Sequence, residues 1–292
     1  MGEPPVPPPL PGPIVLLDLP GRRVRQLICG WIAVRPAHAA WAGPSAAALP
    51  AIAMARSWSG WLPITSVLIE HTDSTILVDT GEVADRPPGH FACGSGSQES
   101  VYRRAFRLAV EETAEVPTQL CDLGVDPRGV HDIVLTHLHA DHTGTVGAFP
   151  NATIHLGAAE LPGYPGATSC RLPTGQRLHP IAGPLPFNGA HPLPAAHALT
   201  ADRAVEVLAL PGHTPGHLGL RIRSDDGTAL VLTGDLALTT AQLSGRRLPG
   251  ITTDRAAARR SLAAIHASAE AGTKTDVVMA HQTGVIDPAI WR

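Results

Sequence analysis

The 292-residue sequence lacks the features that mark membrane-spanning and nucleic-acid-binding proteins. No apolar run approaches the roughly 18 residues that a membrane helix needs, because proline, glycine or charged residues interrupt each candidate. No dense basic run is present, and 22 Lys and Arg against 25 Asp and Glu give a formal net charge of -3. We therefore expect no membrane association and no nucleic-acid partner held by electrostatic attraction.

Cysteine is scarce, and the N-terminus has no secretory signal. The sequence contains no C-x-x-C pair, and its four cysteines are scattered: Cys29, Cys93, Cys121 and Cys170. Their default interpretation is free thiols in a reducing cytosol, with a single distant disulfide left open. The first 13 residues carry Glu3 and prolines where a signal peptide would need basic residues and an unbroken apolar stretch. The expected location is cytoplasmic.

The composition predicts one large domain behind a short arm. Residues 1–13 contain seven prolines, which favours an extended and flexible N-terminal arm. Residues 14–292, in a chain that is 44% hydrophobic, are enough for a single α/β domain with a sizeable core. A stretch crowded with proline and glycine, around residues 162–194, is expected to be an insertion over one edge of the fold.

Hydrophobic patterning predicts an α/β sandwich with mixed sheets. Residues 64–69 and 75–78 read as a hairpin, and residues 98–120 as an amphipathic helix. Further strands are predicted near residues 153–156, 204–210, 218–222, 229–232 and 276–280, and a second helix at 254–269. Strands outnumber helices, yet helices separate the groups of strands.

The most informative segment is His137-Leu138-His139-Ala140-Asp141-His142, directly after the apolar run 133–135. In extended chain, residues two apart point the same way, so His137 and His139 can grip one ion together. Asp141 and His142 lie past a turn, where Thr143-Gly144 could open a helix, and their altered direction suits a second ion. This segment predicts a metal site.

Three further segments end a predicted strand with a residue that can bind metal: Leu210-Pro211-Gly212-His213, Leu232-Thr233-Gly234-Asp235 and Met279-Ala280-His281. Together with the first segment they supply five histidines and two aspartates, enough donors for two ions. Imidazole and carboxylate without thiolate suit zinc, which is the default, and also accommodate manganese, iron or cobalt.

The order of these motifs resembles the metallo-β-lactamase superfamily over about residues 60–285, and Ile76-Leu77-Val78-Asp79-Thr80-Gly81 resembles its upstream strand-turn signature. The resemblance implies an αββα sandwich of two β-sheets flanked by helices, with the metals at one edge. It implies two metal sites bridged by Asp235. The first would comprise His137, His139 and His213, and the second Asp141, His142 and His281.

Other polar and aromatic residues carry weaker signals. The resemblance implies that Asp79 supports the site without binding metal, and His217 is expected to pack beside it. Two interpretations stay open for a group of histidines and for a group of tryptophans. His155, His179, His191 and His197 either line a substrate channel or lie on the surface, and Trp31, Trp41, Trp58 and Trp61 either wall an apolar pocket or fill the core.

The expected reaction is hydrolysis of an ester-like bond in a small, partly apolar molecule. Two divalent ions about 3.5 to 4 Å apart can share a water and leave a bridging hydroxide aimed at an electrophile, with Asp141 and Asp235 as the catalytic carboxylates. A bridging Asp resembles the lactonase, glyoxalase II and phosphotriesterase-like branches, whereas true β-lactamases usually carry Cys or Ser there. A homodimer is one option for assembly.

Residues 63–71 with the Asp-Thr-Gly turn look most like the quorum-quenching acyl-homoserine lactonases. Those enzymes commonly place a Tyr three residues after the bridging Asp, where this sequence has Leu238, and Tyr164 of the long loop is the candidate substitute for contacting substrate. Alternatives are a glyoxalase II-like thioester hydrolase, an aryl ester or phosphotriester hydrolase, a mononuclear iron persulfide dioxygenase, and a non-catalytic protein that kept the fold.

Overall fold

The computed structural model of the protein describes residues 3–182, 193, 195–244, 247–270 and 274–286. The strands are β1 Ile14–Leu19, β2 Arg22–Val34, β3 Leu62–His71, β4 Thr75–Val78, β5 Phe106–Ala109, β6 Asp132–Val134, β7 Thr153–Gly157, β8 Leu178–Ile181, β9 Ala195–Ala198, β10 Val205–Ala209, β11 Leu218–Arg223, β12 Ala229–Leu232 and β13 Thr275–Val278. The helices are α1 Pro36–Ala39, α2 Ser45–Met54, α3 Gly96–Ala105, α4 Val116–Asp122, α5 Ala140–Thr143, α6 Thr240–Leu243 and α7 Arg255–Glu270.

The strands form two mixed sheets. The first has the order β1-β2-β3-β4-β6-β7-β8, with β5 added alongside β2. Its β1 to β4 pairings are antiparallel, and β4, β6, β7 and β8 pair in parallel. The second sheet has the order β13-β12-β11-β10-β9 and is antiparallel except where β12 meets β13. In the described part of the chain, β8 and β9 therefore lie at the ends of their sheets.

Alternating side chains make both faces of these sheets apolar. In β3, Val67 and Ile69 pack in a cluster that also contains Val207 and Leu220 of the second sheet, whereas Leu68 faces away from it. The opposite face of the first sheet packs against α4, and that of the second sheet against α7. Period-two alternation with both faces buried is what a layered sandwich requires. The predicted αββα sandwich is confirmed.

Most predicted elements are present, and one prediction is wrong. The 64–78 hairpin is confirmed, with Glu70 paired to Thr75, and the predicted 254–269 helix corresponds to α7. The single helix predicted over 98–120 is instead α3, β5 and α4. The chain leaves the helix at Phe106 because residues 106–109 pair with Trp31–Val34 of β2. A free sheet edge offers backbone hydrogen bonds that local periodicity does not reveal.

The default interpretation of free thiols is wrong for two of the four cysteines, and the alternative, a single distant disulfide, is present. Cys93 and Cys170 form a disulfide across 77 residues, with 5.3 Å between their Cα atoms, while Cys29 and Cys121 are free. The fold brings their two loops together, which sequence spacing cannot show. The expected cytoplasmic location rested on free thiols and stays a prediction without that support. No helix in the described residues is long and apolar enough to cross a membrane.

Residues 3–13 have no regular secondary structure, but two contacts hold them against the domain. The Trp61 indole donates a hydrogen bond to the Pro5 carbonyl at 2.6 Å, and Glu3 pairs with Arg107 at 3.1 Å. The flexibility of this arm stays a prediction. Of the Pro/Gly-rich stretch 162–194, the structure describes residues 162–182 and residue 193. Residues 162–182 contain a short 3-10 turn and β8.

Candidate metal centre

The candidate centre lies where strands of both sheets end. From the first sheet, β6 stops at Val134 and delivers the segment that begins at His137. A single turn of helix, α5, starts at Ala140, three residues before the predicted Thr143, and redirects Asp141 and His142. From the second sheet, β10, β12 and β13 are followed by His213, Asp235 and His281. Strand ends held by a rigid scaffold are common positions for functional side chains.

The structure brings the seven predicted ligands together in two groups: His137, His139, His213 and Asp235 in one, and Asp141, His142 and His281 in the other. In the first group, Nδ1 of His139 lies 2.8 Å from Nε2 of His137 and 3.1 Å from Nε2 of His213. Three imidazole nitrogens thus converge on one point, as the ligands of a single ion do.

Asp235 lies between the two groups. Its Oδ2 is 3.6 Å from His213 Nε2 in the first group and 3.3 Å from His281 Nε2 in the second, and its Oδ1 is 3.5 Å from His142 Nε2. Asp141 completes the second group, with Oδ2 at 3.6 Å from His281 Nε2. This is the placement that a bridging carboxylate between two ions needs.

Two observations fit this set of residues to metal ions. His142 Nε2 and Asp235 Oδ1 are buried without a hydrogen-bond partner, an arrangement that is costly unless an ion satisfies them. Burial lowers the pKa of His139 to about 4 and holds the pKa of His137 and His213 well below the usual value. These imidazoles are therefore neutral at pH 7, which is the form that binds metal.

Hydrogen bonds behind the histidines fix which nitrogen is free. Asp79 accepts from His142 Nδ1 at 2.8 Å and from the backbone and hydroxyl of Thr136 at 2.7 and 2.8 Å. His281 Nδ1 lies 2.7 Å from the carbonyl of Pro63 and donates to it. Each bond holds Nδ1 and turns Nε2 toward the centre, as supporting carboxylates and carbonyls do in metal sites. Asp79 thus orients a ligand, in line with its predicted supporting role.

His217 packs beside the centre and does not point into it. Its Nδ1 contacts the carbonyl of Leu210 at 3.1 Å, and its Nε2 accepts from the backbone N–H of Asp235 at 3.1 Å. Between them, Gly234 has φ +52°, and a Cβ there would lie 2.6 Å from His217 Nε2. The glycine therefore lets His217 approach closely enough to hold the Asp235 backbone.

The two predicted substrate residues are both occupied by protein contacts. The hydroxyl of Tyr164 donates to Glu160 at 2.7 Å and accepts from the N–H of Leu138 at 3.0 Å, while its ring lies 5.7 Å from that of His139. Leu238 is buried, and its N–H donates to Gln242. A substrate contact by either side chain stays a prediction, and in this structure Tyr164 supports the ligand segment.

Sequence reasoning missed a buried carboxylate under the centre. Glu160 is 0% exposed and accepts from the N–H groups of Leu138 and Gly216 at 3.1 and 2.7 Å, so it joins the segment of His137 and His139 to the loop after His213. Burial raises the pKa of Glu160. Its position 23 residues from His137 gave no sequence signal.

A second missed cluster lies behind α5. Arg171 reaches both oxygens of the fully buried Glu82 at 3.1 Å, contacts His90, and donates to the carbonyl of Ala140 at 2.9 Å. Arg171 follows the disulfide cysteine Cys170 directly, so the covalent link holds this loop to Cys93, and the bond to the Ala140 carbonyl holds it to the helix that carries Asp141.

His38 is a third residue that sequence reasoning missed. This buried histidine of α1 has no partner for Nδ1 in the described structure, and its ring lies 5.0 Å from that of Phe106. Burial lowers its pKa to about 4, and the ring also interacts electrostatically with His139, Asp141, Asp235 and His281. His38 therefore lies within electrostatic range of both ligand groups.

The four tryptophans near the N-terminus are half-buried and do not belong to the described core. Trp58 lies under the guanidinium groups of Arg35 and Arg107, at 3.5 and 4.5 Å from the ring centre. The core interpretation of this group is wrong because all four rings are half-buried and absent from the core clusters; cation–π contacts cover Trp58, and the N-terminal arm contacts Trp61. Whether they form part of a substrate pocket stays a prediction. Of the other histidines discussed, His191 lies outside the described residues.

The sequence of this chain is similar to a known protein family and to individual members of it. A sequence profile for the metallo-beta-lactamase superfamily matches residues 59–271. The N-acyl homoserine lactonase AttM of Azorhizobium caulinodans is 30% identical over 236 residues, which cover 79% of this chain and 84% of that protein. An N-acyl homoserine lactonase of Bacillus cereus is 28% identical over 179 residues, or 61% of this chain and 65% of that protein.

Solved structures share the fold at lower identity. An N-acyl homoserine lactone hydrolase with N-hexanoyl-L-homoserine bound at its catalytic metal centre superposes with a TM-score of 0.68, at 19% identity over 88% of this chain and 92% of its own. The dizinc quorum-quenching lactonase AidC gives a TM-score of 0.60 at 18% identity, over 92% of this chain and 90% of its own. At these identities the likeness shows the architecture alone.

Proposed function

Since this chain belongs to the metallo-β-lactamase superfamily and is a metal-dependent hydrolase of ester bonds, we propose that its substrate is a lactone and its metal centre dinuclear. The observation that carries the proposal is Asp235, whose carboxylate oxygens face His213 on one side and His142 and His281 on the other. A shared carboxylate is needed only where two ions lie side by side. Similarity to the lactonase AttM supports a lactone as the substrate class.

The side chains of this protein would hold and orient the ions. His137, His139 and His213 would bind one, Asp141, His142 and His281 the other, and Asp235 both. When bound, a pair of divalent ions, zinc by default, supplies a strongly acidified water and polarises the carbonyl of the substrate. The hydrogen bonds from Asp79 and Pro63 keep His142 and His281 in the tautomer that binds metal.

The substrate class is tested by assaying protein of known metal content on matched panels of lactones, aryl esters, thioesters and phosphotriesters. We expect the largest kcat/KM for lactones. A chain that leaves lactones intact and hydrolyses a thioester would support the glyoxalase II-like alternative instead. Faster turnover of aryl esters or phosphotriesters would likewise reassign the substrate.

The number of ions is tested separately by elemental analysis of the purified protein. We expect close to two ions per chain, and loss of activity on chelation that returns with added metal. One ion with full activity would refute the dinuclear centre. A single iron together with oxygen uptake in the presence of glutathione persulfide would establish the dioxygenase alternative, which needs only two histidines and one aspartate.

A further inference from the structure

A second cluster of histidines lies at the edge of the sandwich, apart from the residues assigned to the metal centre. His155 of β7, His179 of β8 and His197 of β9 each offer a ring nitrogen, and these atoms lie within 4.8 Å of one another. The ring centroids are separated by 5.1 Å for His155 and His179, 5.4 Å for His155 and His197, and 4.6 Å for His179 and His197.

Strand register explains why these three rings meet. His155 and His179 are direct partners in the parallel β7–β8 pair, so they project from the same face of the first sheet. His197 pairs with Val207, which faces the first sheet in the inter-sheet core. Because β8 and β9 each end their sheet in the described structure, the cluster lies between the two sheets at one edge of the sandwich.

The environment of His155 is that of a metal ligand. Its Nε2 lies 2.7 Å from Oδ1 of Asp132, whose other oxygen accepts from the Ser74 hydroxyl at 3.1 Å. Since an ionised carboxylate only accepts, Nε2 donates to it, and Nδ1 is the nitrogen that remains for an ion. His155 is 4% exposed, and this Nδ1 is buried with no hydrogen-bond partner. A carboxylate that holds the remote nitrogen of a histidine is the usual support of a metal-binding imidazole.

The other two rings complete the arrangement. His197 is half-buried, and burial together with the neighbouring rings of His155 and His179 lowers its pKa, so it is neutral at pH 7. His179 is exposed, which leaves room for water in a fourth coordination position. Three imidazoles with a water as the fourth ligand form a tetrahedral site that zinc accepts.

We propose that His155, His179 and His197 form a third metal site, which binds a divalent transition-metal ion such as Zn²⁺ and fastens the two sheets at this edge. Binding joins two ligands of the first sheet to one of the second. Asp132 is the positioning residue of the site. The role of the ion is stabilisation of the fold, because the cluster contains no residue of the candidate metal centre.

The test compares zinc binding in the metal-loaded wild type, His179→Ala and His197→Ala, with His131→Ala as a matched control at an exposed histidine outside the cluster. After loading with Zn²⁺ and removal of free metal, we expect one zinc per chain fewer in the two cluster variants than in the wild type and the control. Added Zn²⁺ at about 100 times the dissociation constant of the third site should raise Tm by about 5 °C more in the wild type than in His179→Ala.

A conservative variant separates ligand positioning from folding. Asp132→Asn should keep the fold, as judged by circular dichroism, and weaken zinc binding at this site by about 10- to 100-fold. Equal zinc stoichiometry and equal zinc-dependent Tm in wild type, His179→Ala and His197→Ala would overturn the proposal. These readouts need no substrate, so they are independent of the reaction proposed for the metal centre.

Discussion

Replacing Asp79 by Asn should weaken the second group of metal ligands without disturbing the backbone. Asp79 has φ +58°, a left-handed conformation that Asn tolerates better than most residues. The carboxylate accepts three hydrogen bonds, from His142 Nδ1 and from the N–H and hydroxyl of Thr136. An amide of the same shape accepts on one side only and presents N–H groups on the other.

The hydrogen bond that the amide of the Asp79→Asn variant can no longer accept is the one from His142. If the amide oxygen keeps the bond to the Thr136 N–H, its NH₂ group faces the Nδ1 of His142, which then has to accept. The proton of His142 moves to Nε2, the atom that faces Asp235 and Asp141, and this atom no longer binds metal. Loss of a carboxylate behind a metal-binding histidine typically costs 10- to 100-fold in metal affinity, or about 1.4 to 2.8 kcal/mol.

Competition with a chelator measures this effect. We expect one of two bound ions to dissociate at about 10- to 100-fold lower chelator concentration in Asp79→Asn, and kcat/KM to fall while that position is partly filled. Asp122→Asn, an exposed aspartate at the end of α4, is the matched control and should behave as the wild type. Unchanged affinity for both ions in Asp79→Asn would refute the argument that its carboxylate sets the tautomer of His142.

Three further predictions concern acid stability, substrate contact and thiol reactivity. Burial raises the pKa of Glu206, but hydrogen bonds from Arg221 and Arg223 outweigh it and hold the pKa below its usual value. The ionised Glu206 therefore stabilises the fold at any pH above its pKa in the unfolded chain. This stabilisation is lost as the pH falls through the pKa of Glu206 in the folded protein. Glu206→Gln should therefore cost about 3 kcal/mol in chemical denaturation at pH 7, and a difference that persisted below the folded pKa would contradict this. His38→Phe removes a buried nitrogen that has no hydrogen-bond partner and should lower kcat/KM while both ions stay bound; unchanged kinetics would show that this ring makes no contact with substrate. Native protein should show one thiol reactive toward Ellman's reagent, Cys121, because burial raises the pKa of Cys29; unfolding should expose a second and reduction two more.

The residues that face the candidate centre were predictable from the sequence because each follows a strand directly. His213, Asp235 and His281 come three or four residues after β10, β12 and β13 end, and such positions combine a rigid anchor with freedom to face a common point. Hydrophobic alternation also located the hairpin of β3 and β4. It failed at β5, since pairing with a distant strand overrides the helical period of the residues before it.

The supporting residues could not be predicted because their partners are backbone groups in other loops. Glu160 accepts from Leu138 and Gly216, and Arg171 donates to the carbonyl of Ala140. No spacing rule links these positions, because each bond exists only after loops distant in sequence have packed. The same holds for substrate choice. With Leu238 buried and Tyr164 bonded to Glu160, neither residue offers a free polar group to a substrate, whereas the Nδ1 of the buried His38 has no hydrogen-bond partner in the described residues. The kinetics of His38→Phe would test whether this ring of α1 takes the place of the missing tyrosine, a candidate that only the folded chain reveals.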